Sequence, residues 1–512
     1  MSSPIVVVGA GFGGLSAACH LRGMGHDVVV FEAGSLPGGR AGLVDHEGFR
    51  FDSGPTVVTM VDLIASTFAA VGADLNDFCS LVRLDPAYRA RFADGSSLSV
   101  RADVRDMADE IRRFSGPADA DGYGRFVAWT TELYRLEFDR FIARDVGGLA
   151  DMAGGTRQLA GLVAIGAFRS WATKISGFFA DDRLRRLFSF QAMYAGLSPL
   201  EALGLFAVIA HMDTVQGVFA PVGGVQALAA GLADAATKAG VEVHLNTAVT
   251  RISGGATPCV HLADGTVVEA AVVVANPDLP IVYDELLDVA MPRSLRRAHF
   301  SPSCVVWHLA MRGRLPDETA HHNIHFGRDW GVAFDDLLVR GRPMAEPSRF
   351  VTVGSLSDPS AAPPGGHAVF VLEPVPNLDA DVDWSRQTPV LTDRMLRWAE
   401  RAGYPVEGAE LVSVIDPPAW RSHGAARGTP FSLDHRFSQS GPFRPAPEDR
   451  RIPGVVFCGA GTRPGIGIPM VLISGRIAAE RAHGHVDRAA RGAVRSTGKR
   501  TMSPSATRGA RP

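Results

Sequence analysis

Several things are scarce in this chain, and each scarcity excludes something. No apolar run approaches the ~20 residues that a membrane-spanning helix needs. Cysteine is rare and scattered: Cys19, Cys79, Cys259, Cys304 and Cys458 form no C-x-x-C. An odd, dispersed set argues against a disulfide frame or a zinc site and for a reducing compartment. Neither sign of charge dominates, since 51 Lys and Arg against 54 Asp and Glu leave a net −3. That balance leaves no basic footprint for nucleic acid. No Gly-x-Ser-x-Gly nucleophile elbow occurs. His321, His322 and His325 sit in a strand-like stretch with no cysteine or carboxylate at ligand spacing, so no metal is expected. The first strand opens at the N-terminus, which leaves no room for a signal peptide. A cytoplasmic protein, or one lying on a membrane surface, is expected.

What is present begins at Pro4. Ile5–Val8 is a short β-branched run that reads as a buried parallel strand. Gly9, Gly11 and Gly14 follow with the spacing G-x-G-x-x-G, and a helix carries Leu15, Ala18 and Leu21 on one face. Gly23 and Gly25 suit its end, and Asp27–Phe31 is a second strand with Glu32 at its tip. Each glycine has a task. Gly9 makes the tight turn, Gly11 lets backbone approach a pyrophosphate, and Gly14 lets helix press on strand. Ala10, Phe12 and Gly13 fill the loop, and the helix N-terminus offers N–H groups and partial positive charge to phosphate. The Glu32 carboxylate suits both ribose hydroxyls and would repel a 2′-phosphate. The pattern predicts a bound adenine dinucleotide, NAD or FAD rather than NADP.

Beyond Glu32 and Ala33, the pair Gly38-Gly39 with Arg40 suits a second approach to the diphosphate. Phe51-Asp52-Ser53-Gly54-Pro55-Thr56-Val57 reads as a rigid turn that would place backbone against a flat ring. These stretches resemble the bacterial phytoene desaturase family of carotenoid-forming flavoproteins. Later motifs agree: Phe219–Gly224, Ala271–Asp278 and, most specifically, Phe457–Pro469, which reads F-C-G-A-G-T-R-P-G-I-G-I-P. The resemblance spans about residues 4 to 485. The family commonly has His where Arg463 stands, and Gly or Ala where Ile466 stands; both positions would line the flavin or substrate pocket.

The resemblance implies FAD and an α/β fold. A discontinuous Rossmann-like FAD-binding domain (1–95, 215–285 and 440–485) joins a mixed-sheet substrate domain (286–439) and a helical cap (96–214), in an amine-oxidase-like flavoprotein architecture. It places Val249 near the adenine. It adds Pro55, Gly459, Gly461, Thr462 and Gly467 to the cofactor site, with Thr56, Val57, Ile468, Pro469 and Met470 expected around the flavin ring. Pro469 also fits the first turn of a last helix, whose N-terminus would stabilise reduced flavin. No general base stands out.

The implied reaction is desaturation of an apolar polyene, most simply phytoene carried toward lycopene. Another carotenoid-modifying flavoprotein (a ketolase, an isomerase or a later desaturase), a non-enzymatic prenyl-binding escort and an amine oxidase are the rival readings. Leu159–Phe179, apolar and aromatic with Arg169 and Lys174, has the composition of either an interfacial membrane helix or a core helix of the cap. A peripheral membrane contact is therefore expected beside the core alternative. Asp181-Asp182 reads as a helix N-cap. Residues 486–512, basic and without apolar period, are expected to be a disordered tail.

Overall fold

The computed structural model describes residues 3–148, 151 and 154–500, with side chains to residue 491. One parallel sheet holds five strands: β1 (Ile5–Val8), β2 (Val28–Phe31), β3 (Glu242–His244), β4 (Val272–Ala275) and β5 (Val455–Phe457). Their spatial order is β5-β4-β1-β2-β3, with Ile5 beside both Val28 and Val272. Strands far apart in sequence thus meet in one layer. Both faces of β1 are covered, which is why it is apolar throughout. Ile5 and Val7 pack toward helix α1 (Phe12–Gly23) and the last helix, α2 (Ile468–Arg500), while Val6 and Val8 pack on the opposite face.

Glycines let α1 and α2 touch. A Cβ on Gly475 would run into the carbonyl of Gly13, and one on Gly14 into the carbonyl of Gly9. The Ser16 hydroxyl donates to Leu472 O at 2.7 Å across the same contact. At the other end of α1 only Gly25 takes the left-handed turn, at φ +88°. Gly23 stays helical, and its missing Cβ makes room for the carbonyl of Ala70.

A second, seven-stranded sheet is mixed. Ser303–Arg312 pairs antiparallel with Gly366–Val375 over ten residues. Period-two alternation sorts its side chains. Val305, Trp307 and Leu309 pack with Leu391 and Met395 of helix Trp384–Arg401, whereas Cys304 and Val306 face a cavity. Tyr88–Arg91 joins this sheet by parallel pairing with His322–His325, and Ser97–Val100 follows as its edge. This differs from the expected boundary at residue 95, because a local reading of the chain does not reveal a pairing over more than 200 residues.

Two further expectations change. Leu159–Phe179 is not one helix but two short ones, Thr156–Ala164 and Trp171–Ser176. Trp171, Ile175 and Phe179 are buried in the cap core with Phe126 and Phe188. Trp171 and Phe179 pack inward, whereas Phe168 and Val163 are exposed. The stretch expected to be disordered from residue 486 continues α2 to Arg500; residues 501–512 lie outside the described residues. Asp181 does cap the helix Asp182–Leu187, accepting from Arg183 N at 2.8 Å. No helix among the described residues is long and apolar enough to cross a membrane.

Candidate active site

The two chain ends meet around one cavity of about 940 Å3. This is the size of a site for a large small-molecule ligand. Gly9, Gly11, Phe12 and Gly13 form one part of its wall, while Gly459, Gly467, Ile468, Pro469 and Met470 form another. The turn at Gly38 and Gly39 lies directly on the first glycine loop, with Gly38 N donating to Ala10 O at 2.9 Å. A Cβ on Gly11 would stand 2.8 Å from Asn276 Nδ2, and one on Gly39 3.3 Å from Gly11 Cα. The loop is therefore glycine-built because the Asn276 side chain and the backbone of Gly39 pack directly on it. No side chain caps the N-terminus of α1, and no acid sits in its first turn. Its free N–H groups and partial positive charge suit a pyrophosphate.

Glu32 is more constrained than the sequence suggested. Its Oε2 accepts from Ala10 N at 2.7 Å and its Oε1 from Gly34 N at 2.8 Å, so two backbone amides fix the carboxylate on the cavity wall. The remaining lone pairs are those left for ribose hydroxyls. Ala33, Val249, Pro55, Thr56 and Val57 also line the cavity. Arg40 lines it too, but its guanidinium is held by buried Asp278 at 3.0 Å. Asp278 in turn accepts from Ala426 N and Ser432 Oγ, both at 3.0 Å.

Four expected residues do not line the cavity; they shape it from behind. Ala10 is buried and carries the amide that fixes Glu32. Gly14 admits the carbonyl of Gly9, and a Cβ on Gly461 would stand 2.8 Å from Leu279 Cβ. Thr462 bonds Gly459 O at 3.0 Å and Ser474 Oγ at 2.8 Å, which pins the last glycine turn to α2. Arg463 and Ile466, the two departures, both line the cavity. Arg463 is buried in an ion pair with Asp145 at 3.0 Å and also donates to Val146 O at 2.7 Å. His321, His322 and His325 are pushed toward the neutral form by burial, and hydrogen bonds to Ser357, Thr56 O and Tyr404 occupy them as structural groups.

The chain belongs to the flavin-containing amine oxidoreductase family. The family model matches residues 12–483. The phytoene dehydrogenase of Streptomyces griseus is 45% identical, covering 94% of this chain and 95% of the relative. The zeta-carotene-forming phytoene desaturase of Myxococcus xanthus is 37% identical, covering 93% of each. An oxidoreductase of Methanosarcina mazei shares the fold with a TM-score of 0.60 at 17% identity, over 94% of this chain and all of the other. This flavin oxidoreductase is thus an α/β protein of amine-oxidase-like architecture, and its cofactor is FAD.

Away from the glycine turns the cavity of this family member is mostly apolar. Phe190, Leu205, Phe206, Ile209, Phe350 and Leu372 are among its walls. Several polar groups on the walls escaped the sequence reading, Arg349 and Tyr194 among them, and three bear on proton chemistry. Glu137 is buried with no hydrogen-bond or ion-pair partner among the described residues, and burial raises its carboxyl well above the usual range. Asp213 is raised the same way and lies 3.4 Å from both Tyr88 Oη and Gln191 Nε2. His435 is the third. No local pattern marks any of them, because their neighbours come from distant parts of the chain.

Proposed function

We propose that this protein is an FAD-dependent carotenoid desaturase that carries phytoene through successive double-bond insertions toward lycopene. The observation that supports it most is the continuity of a glycine-walled cofactor cradle with a mostly apolar cavity, whose wall arginines Arg40, Arg349 and Arg463 are each paired with a carboxylate. Bound FAD supplies the acceptor for a hydride from an allylic carbon. The remaining work belongs to the chain. Gly9–Gly14, Glu32 and Arg40 hold the dinucleotide. Thr56, Val57, Ile468, Pro469 and Met470 set the plane of the ring. The apolar wall orients a hydrocarbon that has no polar handle and keeps water away from the cation it becomes.

Phe437 and Phe443 are 55% and 54% exposed and also line the cavity. In this reading they form its greasy mouth, and the protein takes its substrate from a membrane surface. Incubation of purified, FAD-loaded protein with phytoene in liposomes tests the proposal. Coloured polyenes with more conjugated double bonds, resolved by chromatography and absorption, are the expected result. Unchanged phytoene from a preparation with a full flavin band would overturn it.

A further inference from the structure

A desaturation needs more than a hydride acceptor, because the substrate must also lose a proton. We propose that His435 is the proton acceptor, taking on Nε2 the proton from the carbon next to the one that gives up hydride. The inference rests on the desaturase reading above.

The position is specific. His435 lines the cavity, and its ring occupies the place a Cβ on Gly465 would take, against the turn that leads into α2. The backbone N–H of His435 donates to Ala195 O at 2.9 Å, and the Phe206 ring meets the imidazole edge-on, with ring centroids 6.2 Å apart. The backbone N–H of Ile466 points at Nε2 from 3.4 Å. An amide can only donate, so Nε2 is the unprotonated nitrogen and Nδ1 carries the hydrogen. A contact this long leaves the lone pair able to take a better donor.

The surroundings keep the ring ready. Buried Arg444 lies behind it, with its guanidinium bonded to the carbonyls of Leu433, Asp434, Gln439, Ala460 and Thr462. This cation is fixed and does not itself reach the cavity wall. Burial first, and Arg444 second, hold His435 well below its ordinary range, so the ring is a neutral base at rest. The other charged groups nearby are already paired, Asp434 with Arg436 at 2.7 Å and Arg463 with Asp145.

The alternatives on the wall fit less well. Burial pushes the carboxyls of Glu137 and Asp213 upward, toward the protonated form that has no charge to receive a proton. Asp278 is tied to Arg40, Glu32 to two amides, and His423 is exposed.

The step balances. Loss of hydride leaves the polyene a delocalised cation. The neighbouring C–H bond breaks, its electron pair becomes the new double bond, and the proton bonds to Nε2. The imidazolium, disfavoured beside Arg444, passes the proton to water when the product leaves.

His435→Gln tests this, because its amide oxygen still accepts from Ile466 N–H but is no base. FAD affinity and phytoene affinity, titrated by flavin absorbance and fluorescence, should stay at the wild-type values. Turnover should fall about a hundredfold, the scale of a lost general base. His435→Asn, as a second variant, should behave the same way. Turnover within threefold of wild type in the Gln variant would overturn the assignment. So would a loss of turnover that merely parallels loss of bound FAD in both variants. Wild-type protein that retains FAD but forms no desaturated product would instead overturn the desaturase reading, and this assignment with it.

Discussion

Asp52 shows how much one side chain carries here. Its Oδ1 accepts from Val225 N at 2.7 Å, at the start of the helix Gly224–Lys238. Its backbone carbonyl accepts from His308 Nε2 of the second sheet at 3.1 Å. Burial pushes the carboxyl from 3.8 up to about 7, against the pull of the backbone donors Val225 and Gln226. The unfolded chain therefore loses this proton first as pH rises. The contribution is full below pH 3.8 and declines as pH climbs toward 7, by up to about 1.4 kcal/mol per pH unit. Asn keeps the acceptor and cannot titrate. Thermal melts of the holoprotein between pH 5 and 7 should fall for the wild type and run flatter for Asp52→Asn. Equal slopes for the two would show that Asp52 does not titrate in this window. Asp52 was legible in the sequence only as part of a rigid turn. Glu32 was legible as a site residue because strand, turn and acid lie within one short stretch. His435, Glu137 and Asp213 were not, because burial against other elements of the fold, and not any local motif, sets the state of each.

At the scale of elements, the contact between α1 and α2 decides whether the cofactor cradle forms. In a helix interior Gly→Ala ordinarily stabilises by up to about 1 kcal/mol. At Gly475 the sign should reverse. A Cβ there would meet the carbonyl of Gly13, Ser16 Cβ at 2.7 Å and Ala17 N at 2.9 Å, and this backbone cannot yield without moving the glycine loop. Overpacking of this kind costs about 1–3 kcal/mol. Gly484, in the same helix, faces only the end of the Arg488 side chain at 3.4 Å. Urea unfolding should find Gly475→Ala destabilised and poor in flavin, and Gly484→Ala neutral or slightly stabilised. The helices themselves were readable from their glycine and proline punctuation. Their close approach was not, since nothing in Gly475 alone says what it touches. The apolar stretch Leu159–Phe179 shows the same limit. An interfacial helix and a buried cap helix share a composition, and only the fold shows that Phe179 packs on Phe126 while Phe168 is exposed.

The whole molecule depends on its ends meeting. β5 lies on β4, beside β1, and α2 covers the same face of the sheet as α1. Leu472, Ala478 and Ala482 are almost completely buried there, Ile473 and Ile477 of the same helix are buried as fully, and Val486 still packs against that core. Removing such apolar side chains forfeits about 1.5–3 kcal/mol for each large one. A chain ending at Arg491 keeps all of them, together with the His26–His483 contact at 2.8 Å and the His485–Glu448 pair at 2.5 Å. It should purify yellow, with the flavin-to-protein absorbance ratio of the full chain. A chain ending at Arg463 loses the turn, the helix and every residue expected on one side of the ring, and it leaves the face of α1 at Gly13, Ser16 and Ala17 uncovered. It should retain no flavin. Were the shorter chain to hold FAD at the full ratio, the cofactor would be bound by the N-terminal glycine loop alone, and the last helix would be packing without a part in the site.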